Sequence, residues 1–135
     1  MKENESIAFK VCGPAGSGVM LLGEILGSAL NEAGFYCLVY PEYPSRIRGG
    51  DNNVQIVISE DEEISPKEKV DAIFLLDQSL KELHIKDLSG GAKIYDAQEL
   101  GFEQISCVKE NKIVKNTVML GFIWKLLEQD CSFSI

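Results

Sequence analysis

The chain has 135 residues, 45% of them hydrophobic and 25% charged, which is the balance of one ordinary globular domain with a single core. A net charge of −8 disfavours nucleic acid and anionic lipid as partners, and no run approaches the roughly 18–20 apolar residues of a membrane span. The N-terminus, MKENESIAFK, shows no apolar stretch of the kind that directs secretion, so the expected location is the cytoplasm.

In chain order, SIAFKVCG reads as a short β-rich run that stops at Gly13. A Gly-rich turn follows, and then VMLLGEILGSALNEAG, in which Val19, Leu22, Ile25, Leu26, Ala29, Leu30 and Ala33 fall at helical spacing and Gly34 is a suitable stop. FYCLVY, 35–40, is a second strand, and its unbroken apolar character suits a parallel sheet covered on both sides. The opening is therefore a βαβ unit. PEYPSRIRGGDN, 41–52, holds two prolines, two arginines and a glycine pair, a composition that forbids a regular element. NVQIVIS predicts an alternating strand, EDEEIS a solvated acidic turn, and VDAIFLL, 70–76, a buried strand. DQSLKELHIKDL predicts a short helix, GGAKIYD a turn into a strand, and QISCV one more strand. NTVMLGFIWKLLEQ, 116–129, predicts a helix capped by Asn116, with Val118, Leu120, Ile123, Trp124 and Leu127 on one face. The expected fold class is α/β: an open, mostly parallel, Rossmann-like sheet with helices on both faces, in three layers. No repeat or linker divides residues 1–135, which read as one domain. The ending QDCSFSI has neither a Gly nor a Pro stop, so the natural chain is expected to continue.

The turn GPAGSG resembles a phosphate-binding P-loop up to Gly18, but Val19 and Met20 stand where such a loop needs Lys and a hydroxyl. Without a cation for the β/γ-phosphates and a ligand for magnesium, nucleotide hydrolysis is not expected. A dinucleotide fingerprint fits poorly too. Gly13, Gly16 and Gly18 are present, but Ala15 takes the middle glycine's place, although Glu42 supplies an acid near the end of the second strand. Two readings of Gly13, Gly16, Ser17 and Gly18 stay open: amide donors at a helix N-terminus that receive an anion, or close packing of strand, helix or partner chain. In a doubly wound sheet the next loop shares that rim, so Arg46, Arg48, Gly49 and Gly50 join the candidate site as a cationic fork beside flexible backbone.

No nucleophile–base pair stands out, and no catalytic residue is assigned. Cys12, Cys37, Cys107 and Cys131 form no C-x-x-C, and His84 is the single histidine, so no metal site is expected. The cysteines read as reduced, mostly buried thiols, and Cys12 lies beside the turn. His84 is expected on the surface of its helix. Asp71, Asp77 and Asp96 fall at strand ends, where capping is the usual role.

Taken together, GPAGSGV with its apolar helix, then PEYPSRIRGGDN, VQIVIS, VDAIFLLDQ, IYD and NTVMLG, resemble the gamma domain of the 2-oxoacid:ferredoxin oxidoreductases over roughly residues 6–127. The form fused to the N-terminus of the alpha subunit is the most similar. Ser17 stands where members of that family usually carry Gln. The resemblance implies an accessory domain, inactive alone. Its complex converts a 2-oxoacid and coenzyme A to an acyl-CoA and carbon dioxide while reducing ferredoxin. It implies alpha and beta subunits as partners, with thiamine diphosphate, magnesium and iron–sulfur clusters held mainly by them. A stand-alone CoA- or nucleotide-binding module and a purely structural assembly domain are the alternatives.

Overall fold

A computed structural model describes residues 6–42, 51–111 and 114–130. Five strands form one sheet: β1 (Ser6–Pro14), β2 (Tyr36–Glu42), β3 (Asp51–Ser59), β4 (Val70–Leu75) and β5 (Leu88–Asp96), in the order β2-β3-β1-β4-β5. β1 pairs in parallel with β4, and β4 with β5, whereas β3 runs antiparallel to both of its neighbours, β1 and β2. Four of the five strands thus share one direction, and the expected three-layer α/β class holds. The antiparallel strand was not foreseen. It slots between β1 and β2 and makes β2 an edge strand. The unbroken apolar run of β2 therefore does not mean burial on both sides: Tyr36 and Tyr40 are exposed, and Cys37 and Val39 pack inward. Conversely, β3 reads as alternating yet is buried from Asn53 to Ser59, because it lies inside the sheet.

Helices α1 (Val19–Glu32) and α4 (Lys115–Asp130) cover one face. Val19, Leu22, Leu26 and Leu30 of α1 recur every three or four residues and meet Val11, Val54, Ile56 and Ile58 of the sheet. Met119, Ile123 and Leu127 of α4 complete this core. Phe74, Tyr95, Phe122 and Phe102 link sheet to helix. Phe74 stacks on Tyr95 with ring centres 5.1 Å apart, and Phe122 meets Phe74, Tyr95 and Phe102 edge-on. Ile25 departs from the expected stripe and faces outward.

The second face is smaller. Ala8, Cys12, Val57, Val70, Ile73 and Leu75 pack with Ile64, Leu80 and Leu88, supplied by a loop, a short helical turn and the start of β5. The helix expected over 77–88 is broken into a 3-10 turn (Gln78–Leu80), the single-turn helix α2 (Lys81–His84) and a second 3-10 turn (Ile85–Asp87). β5 starts earlier than expected, taking in Gly90 and Gly91, with a register irregularity where it leaves Val70. QISCV is not a strand: Ser106–Glu110 form the short helix α3, preceded by a 3-10 turn at Phe102–Gln104.

Lys10 is buried at the middle of the second face. Its ammonium lies 3.0 Å from Glu42 and 3.1 Å from Asp87, and His84 Nδ1 lies 3.6 Å from the same Asp87 carboxylate. Burial works against the charged lysine, but the bonds to Glu42 and Asp87 outweigh it and raise its pKa above 10.5. His84 is thus a buried member of a polar network, not the surface residue expected. Glu42 is engaged by Lys10 and is not free to meet a ribose. Gln55 closes the same layer, accepting from the Lys67 N–H at 2.6 Å and donating to its carbonyl at 2.9 Å.

Candidate functional site

The carboxyl ends of β1, β2, β4 and β5 meet at one rim. From β1 the chain passes through α1 to β2 at one edge of the sheet, whereas β4, on the other flank of β1, leads to β5 at the opposite edge, so the point between β1 and β4 is where the winding changes direction. Hydrogen bonds continue past the strand ends here: Leu76 N–H donates to the Cys12 carbonyl at 2.8 Å, and, one strand over, Ala97 N–H to the Leu75 carbonyl at 2.9 Å. A cleft of about 260 Å³ opens at this position, lined by Pro14, Ala15, Gly16, Ser17, Leu76, Asp77 and Lys115.

The Gly-rich turn is built by tight contacts. Ser17 N–H donates to the Pro14 carbonyl at 3.0 Å, and Gly18 opens α1 with φ 84°. A methyl group on Gly18 would lie 2.2 Å from the Asn116 amide nitrogen, and one on Gly13 would lie 2.4 Å from Ser17 Oγ and 2.7 Å from Val19. Gly13 and Gly18 therefore shape the turn from behind, and of the four turn residues singled out Gly16 and Ser17 line the cleft. The Ser17 hydroxyl is buried and has no hydrogen-bond partner among the described residues. Asn116 does not cap α4. It sits within the first turn, and its amide donates to the Gly18 carbonyl at 3.4 Å, tying α4 to the start of α1.

The missing P-loop lysine has a structural explanation. Val19 is 1% exposed and Met20 packs against the same core, so both positions face inward under α1. The cation of this cleft comes instead from Lys115 at the start of α4, which also pairs with Glu103. Opposite it, Asp77 accepts from the Ser79 backbone N–H at 3.0 Å, and that bond, with a smaller contribution from the charge of Lys115, lowers its pKa below the ordinary 3.8. Asp77 thus opens a 3-10 turn, and Asp96 does similar work on the Gln98 N–H at 2.8 Å. Asp71 instead receives the Ala8 N–H at 3.0 Å. Lys115 was missed in the sequence; its one signal was a cation placed immediately before a helix predicted to start at Asn116.

Arg46, Arg48, Gly49 and Gly50 lie outside the described residues. Their flanks do not: Glu42 pairs with Asn53, and Asp51 pairs with Pro14, the first residue of the turn. Both ends of segment 43–50 are thus anchored at the rim that carries the Gly turn.

Among the described residues no group of three His, Cys, Asp or Glu is arranged to hold a metal ion. None of the described cysteines is in a disulfide: Cys12 is buried, Cys37 half-buried and Cys107 exposed. Burial pushes the Cys37 thiol up to about 11. No helix among the described residues is long and apolar enough to cross a membrane.

Residues 8–131 match the family model of pyruvate ferredoxin/flavodoxin oxidoreductase. The chain belongs to that family. Solved structures share the family fold. A 2-oxoglutarate:ferredoxin oxidoreductase from Magnetococcus marinus, solved with 2-oxoglutarate, coenzyme A and succinyl-CoA bound, superposes with a TM-score of 0.69 at 19% identity, covering 88% of this chain and 24% of that one. A keto/oxoacid ferredoxin oxidoreductase gamma subunit from Geobacter sulfurreducens gives 0.66 at 23% identity, over 85% of this chain and 73% of that one. Pyruvate oxidoreductase subunit PORC from Thermotoga maritima gives 0.56 at 26% identity, over 69% and 50%. The chain therefore spans about a quarter of the Magnetococcus chain and half of the Thermotoga one. No curated protein sequence matches it.

Proposed function

We propose that this chain is the gamma-type component of a cytoplasmic 2-oxoacid:ferredoxin oxidoreductase, inactive alone, that assembles with alpha and beta subunits or domains. The observation that carries this reading is the family match over residues 8–131. The complex would convert a 2-oxoacid and CoA to an acyl-CoA and carbon dioxide and pass electrons to ferredoxin. In this reading the iron–sulfur clusters, thiamine diphosphate and magnesium reside mainly on the partners. The similarity to about a quarter of the Magnetococcus chain favours a domain that works as part of something larger, including the fused form.

The rim is the part turned to the reaction. Gly16, Ser17 and Lys115 line the cleft together with Asp77, and in this reading the turn amides and the Lys115 ammonium would receive a phosphate of CoA. Gly13 and Gly18 hold the turn open, and Arg46, Arg48, Gly49 and Gly50 would complete the cationic side from the adjoining loop. No phosphoryl transfer is performed there, which is why Val19 and Met20 can serve the core.

Co-expression with the alpha and beta subunits, purified through a tag on this chain, tests the reading. The expected product is a complex that oxidises a 2-oxoacid in a CoA-dependent manner, while the free chain does not. Recovery of the chain alone, or tight NAD binding by calorimetry, would overturn it. In the complex, Lys115→Ala and Arg48→Ala should each raise the KM for CoA several-fold with little change in kcat. CoA binding to the isolated chain would favour the stand-alone module, and unchanged CoA kinetics in both variants would favour a purely structural rim.

A further inference from the structure

A second surface lies away from the rim. Between α1 and α4 runs a groove of about 540 Å³, floored by Leu26 and Leu120 and walled by Ile25, Ala29, Gly121 and Trp124. It continues over α1, where Leu21 is 55% exposed and Ile25 is 46% exposed. These residues follow the rows of a helix surface. Leu21, Ile25 and Ala29 are spaced by four, as are Thr117, Gly121 and Lys125. Rows of that spacing form the ridges and grooves into which another helix packs. From Thr117 to Glu128 the groove extends about 16 Å at 1.5 Å per residue, room for three helical turns.

The charges around it are one-sided. Glu24 and Glu32 border the outer flank of α1, and Glu128 borders the end on α4, against Lys125 alone. A second copy of this chain, with net charge −8, would bring acid to acid. A helix with an apolar ridge flanked by Lys or Arg meets both the shape and the charge.

We infer that the α1–α4 groove is the docking surface for such a basic-flanked apolar helix on a catalytic partner chain. This rests on the assembly proposed above and adds a location for it distinct from the rim. The rim faces ligand; the groove grips protein.

Gly121 gives a clean test, because a Cβ built there meets nothing within 4 Å. Gly121→Arg fills the groove and adds a side chain with better helix propensity. In the co-expressed complex it should lower recovery of the partner subunits at least tenfold, while the melting temperature of the free chain stays level or rises. Glu32→Lys combined with Glu128→Lys should lower recovery several-fold, and more strongly at low salt. A photo-crosslinker at position 121 should mark a partner peptide carrying Lys or Arg beside apolar residues. If the wild-type chain assembles and these variants assemble equally well, the groove is not the interface and the inference falls. If light scattering shows a dimer of the chain that Gly121→Arg makes monomeric, the occupant is a second copy and the inference is also overturned. If the wild-type chain recovers no subunits, both this inference and the proposed function are overturned.

Discussion

Under α1 and α4 the sheet is closed by side chains that recur every three or four residues. On the opposite face, residues 60–69 and 77–87 close it, around the ion pairs of one lysine. The first arrangement gains stability in proportion to the apolar area removed from water. The second depends on partners: a buried ammonium is tolerated only while its carboxylates stay in place. The difference teaches that two faces of one sheet can fail in different ways, one by losing volume and the other by losing charge balance.

The largest effect is expected on the helical face. Leu26→Ala removes a side chain with no exposure and should cost about 2–5 kcal/mol, or roughly 4 °C of melting temperature per kcal/mol. A loss below about 1 kcal/mol would mean that this face collapses easily and the contrast is misplaced. On the other face, Lys10→Ala removes the lysine partner of Glu42 and leaves Asp87 with His84 alone, and should cost about 3 kcal/mol, the low end for a broken buried pair, since both carboxylates keep some solvent contact. Replacing the set together, Lys10→Met with Glu42→Gln and Asp87→Asn, should return stability to within about 1 kcal/mol of wild type. If it does not, volume and not charge governs this face too. The sign with pH sharpens the point. The folded pKa of Lys10 is raised, so its contribution is complete below the ordinary lysine value and fades as pH rises through the folded one. Denaturant midpoints of wild type and Lys10→Met should therefore differ constantly near neutrality and converge only above 10.5.

Smaller effects belong to the rim. Gly18→Ala forces a residue with Cβ into φ 84° against Asn116, for about 1–2 kcal/mol. Adding Asn116→Ala should recover part of that cost, a coupling visible in a double-mutant cycle. Asp77→Ala should cost about 1 kcal/mol through the lost bond to Ser79 N–H. Because the folded pKa of Asp77 is depressed, that stability is present above its usual value and is lost as pH falls through the folded one. Wild type and Asp77→Ala should converge in stability in acid below 3.8.

Periodicity explains why the helical face was legible. The α1 stripe and the α4 residues Ile123 and Leu127 stand at the spacings that a helix imposes on anything it buries. The position of β3 was not legible, since an alternating run states which residues share a face but not which strands flank it. The same gap made β2 read as a strand covered on both sides. His84 was misread because its burial depends on Lys10 and Asp87, and Lys10 lies far from it in sequence. QISCV shows the weakness of propensity in a short segment: Ile105, Cys107 and Val108 favour strands, yet Cys107 and Val108 lie in α3 and Ile105 is the extended residue that precedes it. At the rim the Gly turn announced itself by composition, whereas Lys115 became a site residue only through the packing of α4 on Gly18.

The antiparallel slot filled by β3 has a consequence for how the protein is made. β1 and β2 are never neighbours, and both strands that pair with β1 are translated after residue 50. A nascent chain that has emerged only to Glu42 holds two strands that do not pair with each other and an oily helix with no formed sheet to lie against. Assembly of the sheet therefore waits for residues 51–59, and synthesis passes through an interval in which the hydrophobic side of α1 is open to chaperones or to misassociation.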